Sequence, residues 1–102
     1  MEQGRTDFAM DTTPLRLDPS LRIEEVESRR DLLLERLRGP GPVMIDVSGL
    51  ESVDTAGVQL LLACRREAAR RGVQLEYCGE SPALTDALQR LGLVEAVLGR
   101  RT

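Results

Sequence analysis

Apolar and polar positions repeat along this chain on two periods, and the switches between them mark out its elements. Leu15, Leu17 and Leu21 stand at even spacing around Pro19. That is the spacing of one or two short strands, interrupted where proline removes a ladder donor. From Glu24 to Arg38 the period lengthens: acids come first, bases last, and Val26, Leu33, Leu34 and Leu37 form a helical stripe, in the charge order a helix dipole favours. Gly39-Pro40-Gly41-Pro42 ends that helix, since neither residue type sustains one. Val43 to Val47 then reads as a short central strand, apolar enough to be covered on both faces.

A polar turn, Ser48 to Asp54, leads to a helix predicted over about Ala56 to Arg71 and stopped at Gly72. Val73 to Cys78 alternates as a further strand. Ser81 supplies a capping hydroxyl ahead of Pro82, which suits a first helical turn, so the next helix runs to about Leu91 and ends at Gly92. Val94 to Leu98 is a short terminal element. Strands alternating with helices require right-handed crossovers. The expected fold is therefore a single α/β domain, with a central, mainly parallel β-sheet and helices packed against it. Residues 14–99 make the domain. Residues 1–13 lack periodicity and read as a flexible leader, with a short edge strand near Phe8 to Met10 and Met10 as an alternative native start, and residues 100–102 are a tail.

Composition narrows the chemistry. The 102 residues fit one domain. Only Phe8 and Tyr77 are aromatic, so the core must be aliphatic, and a net charge of -3 with so few stacking platforms argues against nucleic acid. Cys64 and Cys78 read as small buried hydrophobes, because the chain has no histidine to complete a metal site. The missing histidine also removes the usual base for a nucleophilic serine or cysteine. No apolar run reaches the ~20 residues a membrane span needs, and no secretory pattern opens the chain, so a cytoplasmic location is expected. Asp46 and Asp54 are the one carboxylate pair that could serve as acid and base. A strand-end aspartate more often fixes a turn, however, and no phosphate loop accompanies them. A non-enzymatic protein without cofactor or metal is expected.

Attention falls on Asp54-Thr55-Ala56-Gly57. Either Asp54 or Thr55 suits the N-cap, and a phosphate on Thr55 would meet the unsatisfied amides of a helix start. On a helical wheel Gly57, Leu60, Leu61, Cys64 and Ala68 form a core face, while Thr55, Val58, Leu62 and Ala69 fall opposite, near Gln59, Arg65 and Arg66. A second apolar stripe lies either beneath another part of the chain or on a partner site, and the partner site is the reading preferred here. Arg65, Arg66, Arg70 and Arg71 suit an acidic partner, or simply a solvated helix end.

Three stretches together, Ile45-Asp46-Val47-Ser48-Gly49-Leu50, Val53-Asp54-Thr55-Ala56-Gly57 with Leu60-Leu61-Leu62, and Ser81-Pro82-Ala83-Leu84 with Leu91-Gly92-Leu93, resemble the STAS domain, the group of sulfate transporters and anti-sigma factor antagonists. The resemblance implies a STAS-like fold and a bacterial, protein-binding regulatory role in signal transduction. In the antagonists a partner kinase phosphorylates the serine or threonine after the turn aspartate, here Thr55, and so switches partners. The partner-binding residues implied are Asp54, Thr55, Ala56, Gly57, Val58, Gln59, Leu62 and Arg66, with Asp46 as a supporting acid. The implied partner is an anti-sigma factor of the serine/threonine kinase type. Related domains serve instead as soluble STAS subunits on the ATPase of phospholipid or organic-solvent ABC transporters, or as chemotaxis-associated proteins. A homodimer is a further possibility.

Overall fold

A computed structural model describes residues 14–99, so the strand expected near Phe8 to Met10 lies outside the described residues. The aliphatic positions around Pro19 form two short strands, β1 (Leu15–Arg16) and β2 (Ser20–Leu21), followed by helix α1 (Ile23–Arg38). After the Gly-Pro turn come β3 (Val43–Asp46) and β4 (Ser52–Val53), then α2 (Thr55–Arg71), β5 (Leu75–Cys78), α3 (Pro82–Leu91) and α4 (Val94–Leu98). β3 is central in a parallel three-stranded sheet of order β1-β3-β5. β2 and β4 form a separate parallel pair that joins Leu21 to Val53. The stretch expected as a turn, Ser48 to Asp54, thus contains a strand, because two residues are too few to carry a visible alternation.

The register aligns Leu15 with Ile45 and Tyr77, and Val43 with Leu75. This face of the sheet is buried against the helices. Its reverse carries Arg16, Met44, Asp46, Glu76 and Cys78, which are half-buried or exposed. β3 is therefore fully covered on one face only, where its apolar composition suggested two. The polar Asp46 and the neighbouring Glu76 account for the difference, since both need solvent or a partner.

Leu33 and Leu37 bury the α1 stripe, with Val26 and Leu34 packed at its margin. α2 lies among α1, α3 and α4. Two buried polar side chains tie the helices to the rest of the fold. The buried Tyr77 hydroxyl donates to the Leu61 carbonyl at 2.6 Å, and Ser81, also buried, both caps α3 through Leu84 N–H (3.1 Å) and donates to the Leu50 carbonyl (2.9 Å). Helices α2, α3 and α4 each end at a glycine in the left-handed region, Gly72, Gly92 and Gly99, as two of the three stops were read from sequence.

Candidate functional site

Two helix starts meet at one aspartate. Asp54 is the N-cap of α2: its Oδ1 accepts from Gly57 N–H at 3.0 Å, while Oδ2 accepts from Ile23 N–H, at the start of α1, at 2.9 Å. One carboxylate therefore satisfies an orphan donor at each of two helix ends. These bonds, led by the one from Ile23, hold the Asp54 carboxyl below its ordinary range, assisted by the Gly57 bond and the nearby Arg22 charge. At α1 the Glu25 carboxylate accepts from Arg22 N–H (2.8 Å) and from the Ser20 hydroxyl (2.9 Å). A guanidinium accepts nothing, so only the Glu25 half of a capping box exists there. Arg22 instead reaches across to the Ser52 hydroxyl at 3.2 Å.

Gly57 shows how tightly the two starts are joined. A Cβ there would lie 2.1 Å from the Leu21 carbonyl oxygen. The backbone that approaches this glycine so closely is the protein's own β2.

Thr55 follows the cap and is exposed. Beside it lies a groove of about 370 Å³ lined by Val53, Asp54, Thr55, Ala87, Arg90 and Leu91. Ile23 is 63% exposed and Leu91 41%, so two large apolar side chains flank the polar helix start. Sequence reasoning missed Ile23, Arg90 and Leu91. A signal was present for Ile23, a lone apolar residue within Arg22-Ile23-Glu24-Glu25. For Leu91 there was none, since its position fits the α3 core stripe equally well.

The structure divides the other candidate residues. Gln59 and Arg66 are exposed on the Thr55 side of α2, and Ala56 is half-buried. Val58 is 0% exposed and Leu62 8%. Val58 and Leu62 of the second apolar stripe are thus part of the core and not a partner surface, while its other members, Thr55 and Ala69, are exposed. The reason is the setting of α2: helices pack along more than one of its sides, so its buried arc covers well over half the wheel and leaves a polar strip through Thr55, Gln59, Ala63, Arg66 and Arg70.

The arginines separate too. Arg65 is a structural residue, donating to the Val97 carbonyl (3.0 and 2.7 Å) and the Leu75 carbonyl (2.6 Å) above the Tyr77 ring. Arg70 and Arg71 both pair with Glu67. Asp46 accepts from Ser48 N–H at 2.9 Å, the main cause of its lowered pKa, and pairs with Arg16 at 3.3 Å. It fixes the turn after β3 and is bonded to different groups from Asp54. Cys64 is buried and its thiol pushed up to about 11, chiefly by desolvation. No metal-holding cluster of His, Cys, Asp or Glu occurs among the described residues, and none of their helices is long and apolar enough to cross a membrane.

Topology and site together describe a small parallel α/β domain that presents the start of a helix, with its hydroxyl and flanking apolar residues, at the surface. The chain belongs to the STAS_2 family, whose model, described as Mlab, STAS domain, matches residues 5–99. STAS domains mediate protein interactions and regulation and are generally non-catalytic. The fold agrees with a crystal structure of a sulfate transporter family protein from Wolinella succinogenes. That structure superposes with a TM-score of 0.72 at 20% identity, covering 90% of this chain and 75% of that one. No curated protein matches the chain.

Proposed function

We propose that this protein is a partner-binding switch that docks through the surface around the start of α2 and is released by phosphorylation of Thr55. The observation that carries the reading is the exposed Thr55 hydroxyl, next to the ionised Asp54 and flanked by exposed Ile23 and Leu91. A phosphate would add about -1.5 to -2 charges at pH 7. The Gly57 amide is already bound to the Asp54 carboxylate and the Asp54 amide to the Leu21 carbonyl, which leaves less of the helix end to hold that phosphate than a free N-terminus would offer. The phosphate therefore stays at the surface beside a carboxylate and acts by repulsion and desolvation on whatever covers Ile23 and Leu91. The partner this suits is a kinase-type anti-sigma factor or a comparable signalling protein, and the domain works without a catalytic step of its own.

The test is incubation of the protein with its cognate kinase and ATP, followed by peptide mass spectrometry and titration of the partner. A phosphate on the peptide containing Thr55, with binding weakened in Thr55→Glu and retained in Thr55→Ala, is the expected result. An unmodified chain together with undiminished partner binding by Thr55→Glu would refute the switch.

A second reading keeps the same face and drops the switch: permanent docking on the ATPase of a lipid-transporting ABC complex. The exposure of Ile23 and Leu91 favours it, because permanent interfaces are more apolar than transient ones. Stable co-purification with an ATPase from native cells, unaffected by phosphatase, distinguishes it.

A further inference from the structure

The strip of α2 that continues from Thr55 has a chemistry that singles out one kind of occupant. Its exposed members, Thr55, Gln59, Ala63 and Arg66, contain no acid. Of the arginines on α2, Arg65 is spent on carbonyls and Arg70 and Arg71 on Glu67. Arg66 alone among them has no hydrogen bond or ion pair among the described residues. It stands three helical turns from Thr55, about 16 Å along the axis at 1.5 Å per residue. Between them Ala63 offers a small side chain over which another backbone can approach.

We infer that the partner lays an acidic helix lengthwise along α2, with a carboxylate opposite Arg66 and its other end over Thr55. This rests on the docking reading of the Thr55 surface and deepens it by naming the partner's chemistry. Charge complementarity selects the occupant. A second copy of this chain, paired about a two-fold axis on the same strip, would bring Arg66 against a strip without any acid. An acidic helix satisfies the guanidinium, can pack closely over Ala63, and lies in line with Thr55, where a phosphate would repel it. A contact of about 16 Å is also the length of an eleven-residue helical segment, long enough for one partner helix to sense both ends.

The experiment places the photo-crosslinking residue benzoylphenylalanine at Gln59 or Ala63 of the full chain in native cells and sequences the partner peptide it captures. The expected peptide is helical and carries Asp or Glu within one turn of the crosslinked residue. Arg66→Glu should weaken binding of the identified partner roughly tenfold or more, as for a charged interface pair, with the loss diminishing at high salt and reversed when the partner's acid is changed to Lys. A captured peptide without acids, or Arg66→Glu binding normally, overturns the acidic-helix inference while leaving docking at Thr55 intact. Absence of crosslinks from both positions, with partner binding also insensitive to Thr55→Glu, overturns the docking reading and this inference with it.

Discussion

Replacing Gly57 by alanine tests the junction on which the site depends. The added Cβ would lie 2.1 Å from the Leu21 carbonyl oxygen, 3.0 Å from Leu21 Cγ and 3.1 Å from the Leu21 carbonyl carbon. Ordinary carbon–oxygen contacts begin near ~3.3 Å, so the start of α2 and β2 must separate by roughly 1 Å. Two of the three obstructing atoms are backbone, and Leu21 is 0% exposed, so no flexible side chain can yield. Overpacking of this kind costs about 1–3 kcal/mol. A 2.1 Å approach to a backbone oxygen belongs to the upper part of that range, about 2–3 kcal/mol, and alanine returns up to about 1 kcal/mol through helix propensity, leaving a net loss of at least about 1–2 kcal/mol. For a domain of this size that lowers Tm by roughly 4–15 °C. Urea unfolding followed by circular dichroism measures it, with Gly57→Ser expected to behave alike and the slope m unchanged. The same displacement pulls Ile23 N–H and Asp54 apart, so partner binding should fall as well. A Gly57→Ala protein as stable as the parent, or more stable, would refute the steric reasoning.

Three further outcomes follow from other parts of the molecule. Val58→Ala removes methyl groups from a residue at 0% exposure and should cost about 1–3 kcal/mol in urea unfolding; a variant of unchanged stability that loses only partner binding would return Val58 to the docking surface. Arg65→Ala leaves the carbonyls of Val97 and Leu75 without their donors and should cost about 2–4 kcal/mol, with hydrogen exchange accelerated first across Val94–Leu98; uniform exchange throughout the chain would count against a local tie. The carboxyls of Glu25, Asp46, Asp54 and Glu67 are all lowered by hydrogen bonds, so each stabilises the fold above its unfolded pKa of about 4 and loses that contribution as pH falls through the folded value. With no histidine in the chain, the urea midpoint should stay level from roughly pH 5 to 8 and fall below about pH 4; a step near pH 6 would contradict this.

Much of the architecture was legible because it rests on local signals. Ser81-Pro82 announces α3 and Gly92 closes it, and both act through the backbone within a few residues. The Gly-Pro run after Arg38 ends α1 for the same reason. β4 was not legible, since a two-residue strand exists only because Ser20 and Leu21 lie beside it.

The site divides along the same line. That Asp54 and Thr55 begin a helix is written in the sequence, and the family pattern points to the same pair. Which sides of α2 face solvent is not. A helical wheel records angles but not neighbours, and Val58 and Leu62 were assigned outward on the assumption that α2 buries a single face. In the fold α2 is packed by three other helices, which turns Val58 and Leu62 inward and leaves the strip from Thr55 to Arg66 exposed. Tertiary structure also paired Asp54 with Ile23, 31 residues away, and, among the described residues, gave partners to Arg65, Arg70 and Arg71 but none to Arg66. Periodicity and capping chemistry thus determined the elements and the location of Thr55. Only packing, which brings distant segments to either side of a helix, decided what surrounds it.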